Sequence, residues 1–218
     1  MISEILPAAV ASAEVFGDLA DAALFPAEEA LVARAVQKRR REFATGRHCA
    51  RTALGALGIA PAPILPGQGG APQWPPGIVG SITHCAGYRA AAAARASGVV
   101  TVGLDAEPAQ RLPGEVLELV ALPDERDRLL GLARAEPGVC WDRLLFSAKE
   151  SVYKAWYPLA RRWLGFDDAD ITINAADGTF EARLLVTAPA SSGVPPAGFT
   201  GRWVIAEGMI LTAITVLA

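Results

Sequence analysis

The residues best equipped for chemistry are three carboxylates and a set of cations. Asp105 and Glu107 follow the apolar run Val99 to Leu104. In an extended backbone their two-residue spacing turns both side chains to one side of the strand. Paired hard oxygen donors with no His or Cys beside them suit Mg²⁺, which completes its shell with water and substrate phosphate. Taken alone, two acids at a strand end equally describe a solvated terminus. A third carboxylate, Glu150, stands four residues before Lys154 in an amphipathic helical segment, so the two share a helix face. That spacing also fits a plain ion pair, and Ser147 with Glu150 also fits a capping box.

The cations concentrate in Lys38-Arg39-Arg40-Arg41, followed by Arg47 and Arg51. Such a run is commonly a solvated face, but in an acidic chain it also makes a local anion site, because arginine grips phosphate oxygens through a fork of donors. On an unbroken helix Arg40 and Arg47 nearly align; a break at Thr45-Gly46 re-aims the second, and spacing does not choose between them. His84 closes Gly80-Ser81-Ile82-Thr83-His84, where a strand enters a turn with exposed donors and hydroxyls.

The elements that must carry these groups alternate in type. Pro26, Glu28 and Glu29 begin a helical region running to about Leu57, which Gly58 and Pro61 stop. Residues 61–80 are too rich in Pro and Gly to be anything but loop and turn. Strands follow at 78–83, 88–94 and 99–104. Helices return at 116–120, 124–133 and 141–156, and two hairpins close the chain, 171–174 with 180–186 about Asp177-Gly178 and 203–205 with 209–216 about Glu207-Gly208. Helices followed by strands thus occur twice, which predicts an α+β chain of two comparable halves meeting near residues 105–112. No convincing sequence repeat accompanies that duplication.

Composition sets the outer bounds. The 218 residues are 52% hydrophobic with a net charge of −3, enough for one or two joined cores and too acidic for general polyanion binding. Three cysteines without C-x-x-C spacing argue against a disulfide framework or a four-cysteine zinc site and fit a reducing cytoplasm. Glu4, with no Lys or Arg before Arg34, is the wrong flank for a signal peptide, and no apolar run is long enough to span a bilayer. Nothing in the sequence demands more than a monomer. Trp74, Trp156, Trp163 and Trp203 are expected in core or interdomain packing.

Four segments in order carry a resemblance: Lys38-Arg39-Arg40-Arg41-Glu42-Phe43 through Gly46-Arg47 and Cys49-Ala50-Arg51; Gly80 through Cys85; Val102-Gly103-Leu104-Asp105-Ala106-Glu107-Pro108; and Trp141 through Trp156. Together they resemble the Sfp-type 4'-phosphopantetheinyl transferases, the group that includes the enterobactin synthase D component, and within it the actinobacterial members. The resemblance implies two similar α+β halves, divided here as 1–108 and 109–218, with coenzyme A in the cleft between them. It implies a metal site at Asp105, Glu107 and Glu150 for Mg²⁺, with Mn²⁺ as the alternative. It also implies coenzyme A phosphate contacts from Arg39, Arg47, His84, Lys149 and Lys154, with a hydroxyl contact from Thr83.

The reaction so implied moves phosphopantetheine from coenzyme A to a serine of an acyl or peptidyl carrier protein; the carboxylate trio beside the lysines suggests that Glu150, directly or through a metal-bound water, takes the serine proton and that Lys154 stabilises or protonates the leaving 3',5'-ADP oxygen. One departure stands out: the loop Leu65-Pro66-Gly67-Gln68-Gly69-Gly70-Ala71-Pro72 carries none of the lysine that related chains often have there. Two other classes compete. A non-catalytic module for coenzyme A or carrier protein is disfavoured by the intact acid trio. A metal-dependent nucleic-acid enzyme is disfavoured by the acidic balance and the lack of interleaved aromatic and basic residues.

Overall fold

The computed structural model describes residues 1–186 and 197–218. In chain order these form β1 (Val10–Phe16), α1 (Pro26–Val32), α2 (Gln37–Ala56), β2 (Ile78–Cys85), β3 (Tyr88–Arg95), β4 (Val99–Pro108), α3 (Gly114–Val120), α4 (Pro123–Ala135), α5 (Trp141–Ala160), β5 (Ala169–Asn174), β6 (Thr179–Leu184), β7 (Gly198–Ala206) and β8 (Met209–Leu217). The strands make two antiparallel sheets, ordered β1-β3-β2 and β4-β8-β7-β6-β5. The α+β class holds, and the predicted hairpins form at Gly178 and at Glu207-Gly208, all three in the left-handed region that such turns require.

The helical region at 26–57 is two helices, not one. Val36 is extended, so α1 folds back on α2, and the buried Glu28 receives the Phe25 and Ile64 amides and the Arg51 guanidinium. Helix α2 itself runs unbroken through Thr45-Gly46. This leaves Arg47 one turn beyond Phe43, its guanidinium 4.1 Å over the ring.

The alanine run of β3 makes sense as the middle strand of a thin, two-faced sheet. Ala91 and Ala93 pack with Cys49, Ala50, Ala53 and Leu54 of α2. Ala90, Ala92 and Ala94 pack on the other face with Val102, Leu104 and Ala106 of β4. Period-two burial of small residues lets a helix and a second sheet both approach closely.

Strand β4 has two faces with different jobs. Val102, Leu104 and Ala106 enter the core, while Gly103, Asp105 and Glu107 alternate with them toward α5. At Gly103 helix and strand touch backbone to backbone: a Cβ there would lie 2.1 Å from the Ser151 carbonyl oxygen and 2.7 Å from the Ala155 nitrogen. Thr101 Oγ1 donating to the Ala155 carbonyl (2.9 Å) and Thr212 Oγ1 donating to the Ser147 carbonyl (2.9 Å) fasten α5 across β4 and β8.

The two sheets meet edge to edge. β2 and β4 are edge strands, and the outward amides of β4 find hydroxyls on β2: Leu104 N–H donates to Ser81 Oγ and Ala106 N–H to Thr83 Oγ1, each at 3.1 Å. Strand β4 therefore hydrogen-bonds into the second sheet through β8, although it precedes the division at 108/109. Among the described residues no helix is long and apolar enough to cross a membrane.

Candidate active site

The edge-to-edge seam is where the reactive side chains gather. Asp105, on β4, is buried, and its Oδ1 accepts from Lys154 Nζ of α5 (2.8 Å) and from Thr83 Oγ1 of β2 (3.4 Å). Lys154 Nζ also lies 3.4 Å from Thr83 Oγ1, so one strand from each sheet and the central helix converge on one carboxylate. Asp105 Oδ2 is buried with no hydrogen-bond partner among the described residues. An ionised oxygen in that condition is costly unless a cation or donor joins it.

Glu107, two residues along the same face, accepts at Oε2 from Arg143 Nη1 at 2.9 Å. Burial and the nearby Asp105 charge push its carboxyl up to about 7, with Arg143 opposing. Glu150, one helical turn before Lys154, is also raised by burial and by Asp105, with Lys154 opposing. Burial, with the Glu107 and Asp105 charges, pushes the Cys85 thiol up to about 12, which keeps it protonated. Glu107 and Glu150 thus each feel the Asp105 charge as excess negative charge. Among the described residues, however, no three acidic, His or Cys side chains are drawn together closely enough to hold a metal. Lys154 and Arg143 instead neutralise Asp105 and Glu107 singly. The donor set is nonetheless all oxygen, with one buried oxygen unpartnered, and so it fits a hard divalent cation.

On the other side of the seam α2 delivers Arg39 to His84, with Nη1 and Nε2 3.2 Å apart. Arginine can only donate, so His84 Nε2 is the acceptor and the ring is neutral with its proton on Nδ1. Desolvation of the ring, with Arg39 and Lys154 nearby, holds its pKa below the ordinary imidazole value. Arg89, opposite His84 in register, is buried against Asp18 (2.8 Å) and Glu42 (3.5 Å) and donates to the Tyr88 and Cys85 carbonyls. It ties the β2–β3 turn to α2 and so fixes the Arg39–His84 approach. Arg47 is buried, with its Nε donating to the Ile64 carbonyl at 2.8 Å, and desolvation lowers its pKa to about 10.

Lys149 is not brought to this cluster. Its ammonium is buried on another face of α5, 2.7 Å from Glu125 Oε2 and bonded to the Phe166 carbonyl. Adjacent residues of a helix point about 100° apart, so Lys149 cannot accompany both Glu150 and Lys154. There it forms an ion pair joining α4 to α5. Trp163 also departs from expectation: it is 71% exposed, its ring 4.9 Å from that of Tyr153. Trp156 is fully buried, whereas Trp74 and Trp203 are partly buried against the cores. In the lysine-less loop, Gly69 sits directly on the Tyr157 hydroxyl at positive φ, leaning that loop against the end of α5.

One contributor escaped the sequence reading. Arg143 lies seven residues before Glu150, two turns along the same face, and that spacing was the available signal.

This seam, with an acid-rich strand facing a Glu/Lys helix, sits within two matched family models. Residues 27–94 match the 4'-phosphopantetheinyl transferase N-terminal domain, and residues 101–206 match the 4'-phosphopantetheinyl transferase superfamily. The chain belongs to the 4'-phosphopantetheinyl transferases, which transfer phosphopantetheine from coenzyme A to carrier proteins. Among curated relatives it is 54% identical to the 4'-phosphopantetheinyl transferase Svp of Streptomyces mobaraensis, across 100% of this chain and 90% of that one. It is 50% identical to Npt of Nocardia iowensis (98% of this chain, 99% of that one) and 48% identical to PptT of Mycobacterium tuberculosis (98% and 97%). Both bear the same enzyme name.

Proposed function

We propose that transfer is to a serine of acyl or peptidyl carrier proteins, releases 3',5'-ADP, and depends on Mg²⁺, or Mn²⁺ in its place, held by Asp105, Glu107 and Glu150. The observation that carries this reading is the Asp105 carboxylate at the seam, with one oxygen on Lys154 and the other buried and unpartnered. Once bound, the cation supplies charge stabilisation to the reacting phosphoryl oxygens. The remaining chemistry belongs to the chain. Glu150, its carboxyl raised by burial and by the Asp105 charge, takes the proton of the carrier serine. Lys154, aimed by Asp105 and Thr83, donates to the leaving oxygen of 3',5'-ADP. Arg39 and His84, with Arg47 behind them, receive the other phosphates of coenzyme A.

In this reading the halves 1–108 and 109–218 flank the coenzyme A cleft and share β4 as their common wall. The acidic balance speaks against a nucleic-acid substrate, and the three unpaired cysteines support a reducing, cytoplasmic setting. Glu150→Gln is expected to lower kcat by about 10²–10⁴-fold at saturating Mg²⁺ and coenzyme A, the usual contribution of a positioned base. Near wild-type turnover in that variant would remove Glu150 from the reaction.

A further inference from the structure

We propose that Arg143 is a positioning residue for the divalent-cation site, orienting the Glu107 carboxylate of β4. The inference rests on the metal-site reading above. All of its guanidinium nitrogens are engaged: Nη1 with Glu107 Oε2 at 2.9 Å, Nε with the Gln110 carbonyl at 2.9 Å and Nη2 with the Arg111 carbonyl at 3.4 Å. The neighbouring Asp142 holds the same segment, accepting the Leu112 amide at 2.9 Å through Oδ2 and the Arg143 amide at 2.9 Å through Oδ1. The chain leaving β4 is therefore wrapped around the first turn of α5, and the guanidinium is its fastening.

Two consequences follow from that geometry. Main-chain carbonyls fix the guanidinium independently of Glu107, so it stays in place when a cation arrives. Its single bond to Oε2 also orients the carboxylate, so that the other oxygen remains available as a donor. Carboxylate ligands held by such an outer partner keep their metal better, and losing the partner commonly costs about 10–100-fold in affinity. Lysine cannot replace the fork, because an ammonium on a flexible stem cannot span two carbonyls and a carboxylate in one plane. A residue that merely supplied a counter-charge would behave differently. It would compete with the cation, and a lysine would serve as well.

The test is Mn²⁺ binding, read by electron paramagnetic resonance of the free ion, to protein saturated with coenzyme A in the absence of carrier. The proposal expects Arg143→Gln and Arg143→Lys both to weaken Mn²⁺ binding by about 10-fold or more, with coenzyme A affinity unchanged. Should the glutamine variant fail to fold, the lysine variant carries the same test. Unchanged Mn²⁺ affinity in the folded variants, tighter binding in Arg143→Gln, or full rescue by Arg143→Lys would overturn the positioning role. Failure of the wild-type protein to bind Mn²⁺ at all would instead sink the metal-site reading on which the proposal stands.

Discussion

Asp105→Asn is expected to reduce phosphopantetheine transfer by about a thousandfold, roughly 4 kcal/mol of transition-state stabilisation, while leaving the protein folded. Asparagine keeps the volume of a buried side chain and a carbonyl oxygen for Thr83 Oγ1, so packing at the seam survives. What disappears is the charge that aims Lys154 and that, in the proposed reading, suits the unpartnered Oδ2 to a cation. The thermal midpoint should hold or rise, because both Glu107 and Glu150 are raised partly by the Asp105 charge, and removing it relieves that repulsion. Activity lost without stability lost is the signature of a site kept at some cost to the fold. Initial rates and thermal unfolding of the same preparation decide the matter. A rate near wild type would remove Asp105 from the chemistry, and a collapse of the midpoint would make its role structural.

Gly103→Ala should damage stability and activity together. The new Cβ would lie 2.1 Å from the Ser151 carbonyl oxygen, a backbone atom in the middle of α5, so the helix must lift from β4. Overpacking of that kind costs about 1–3 kcal/mol or more. The same lift carries Glu150 and Lys154 away from Asp105, and displacement of about 1 Å between reacting groups can cost about a hundredfold in rate. Gly131→Ala in α4 serves as the control, since nothing lies within 4 Å of its added Cβ; there the better helix former should be neutral or slightly stabilising. Urea denaturation and kcat for both variants test this, and wild-type behaviour of Gly103→Ala would contradict the direct contact of α5 with β4.

The two positions illustrate what the sequence discloses. The alternation Gly103, Asp105, Glu107 on one face of β4 follows from strand periodicity, and the helix spacing of Glu150 and Lys154 from helix periodicity; both are local. The hairpins at Gly178 and at Glu207-Gly208 are equally local, because positive φ is a demand of the turn itself. Long-range choices were less legible. β1 reads Val-Ala-Ser-Ala-Glu-Val-Phe, with no clean alternation, and its Glu14 is accommodated because the Tyr88 hydroxyl, the Ile2 amide and the Met1 ammonium meet it. The direction of Lys149 depends on Glu125, on another helix earlier in the chain. Assignment of β4 to the second sheet depends on β8 at the far end of the chain. In such cases the sequence supplies the residue type, and tertiary contacts decide what it meets.

The most direct test of the account is the intact mass of an apo-carrier protein after incubation with this protein, coenzyme A and Mg²⁺, beside an EDTA control and the Asp105→Asn variant. The account predicts a gain of one phosphopantetheine that EDTA abolishes and that Asp105→Asn slows about a thousandfold. A gain of the same size and rate in EDTA would contradict the carboxylate-held cation, and no gain on any carrier type with coenzyme A still bound would contradict transfer itself.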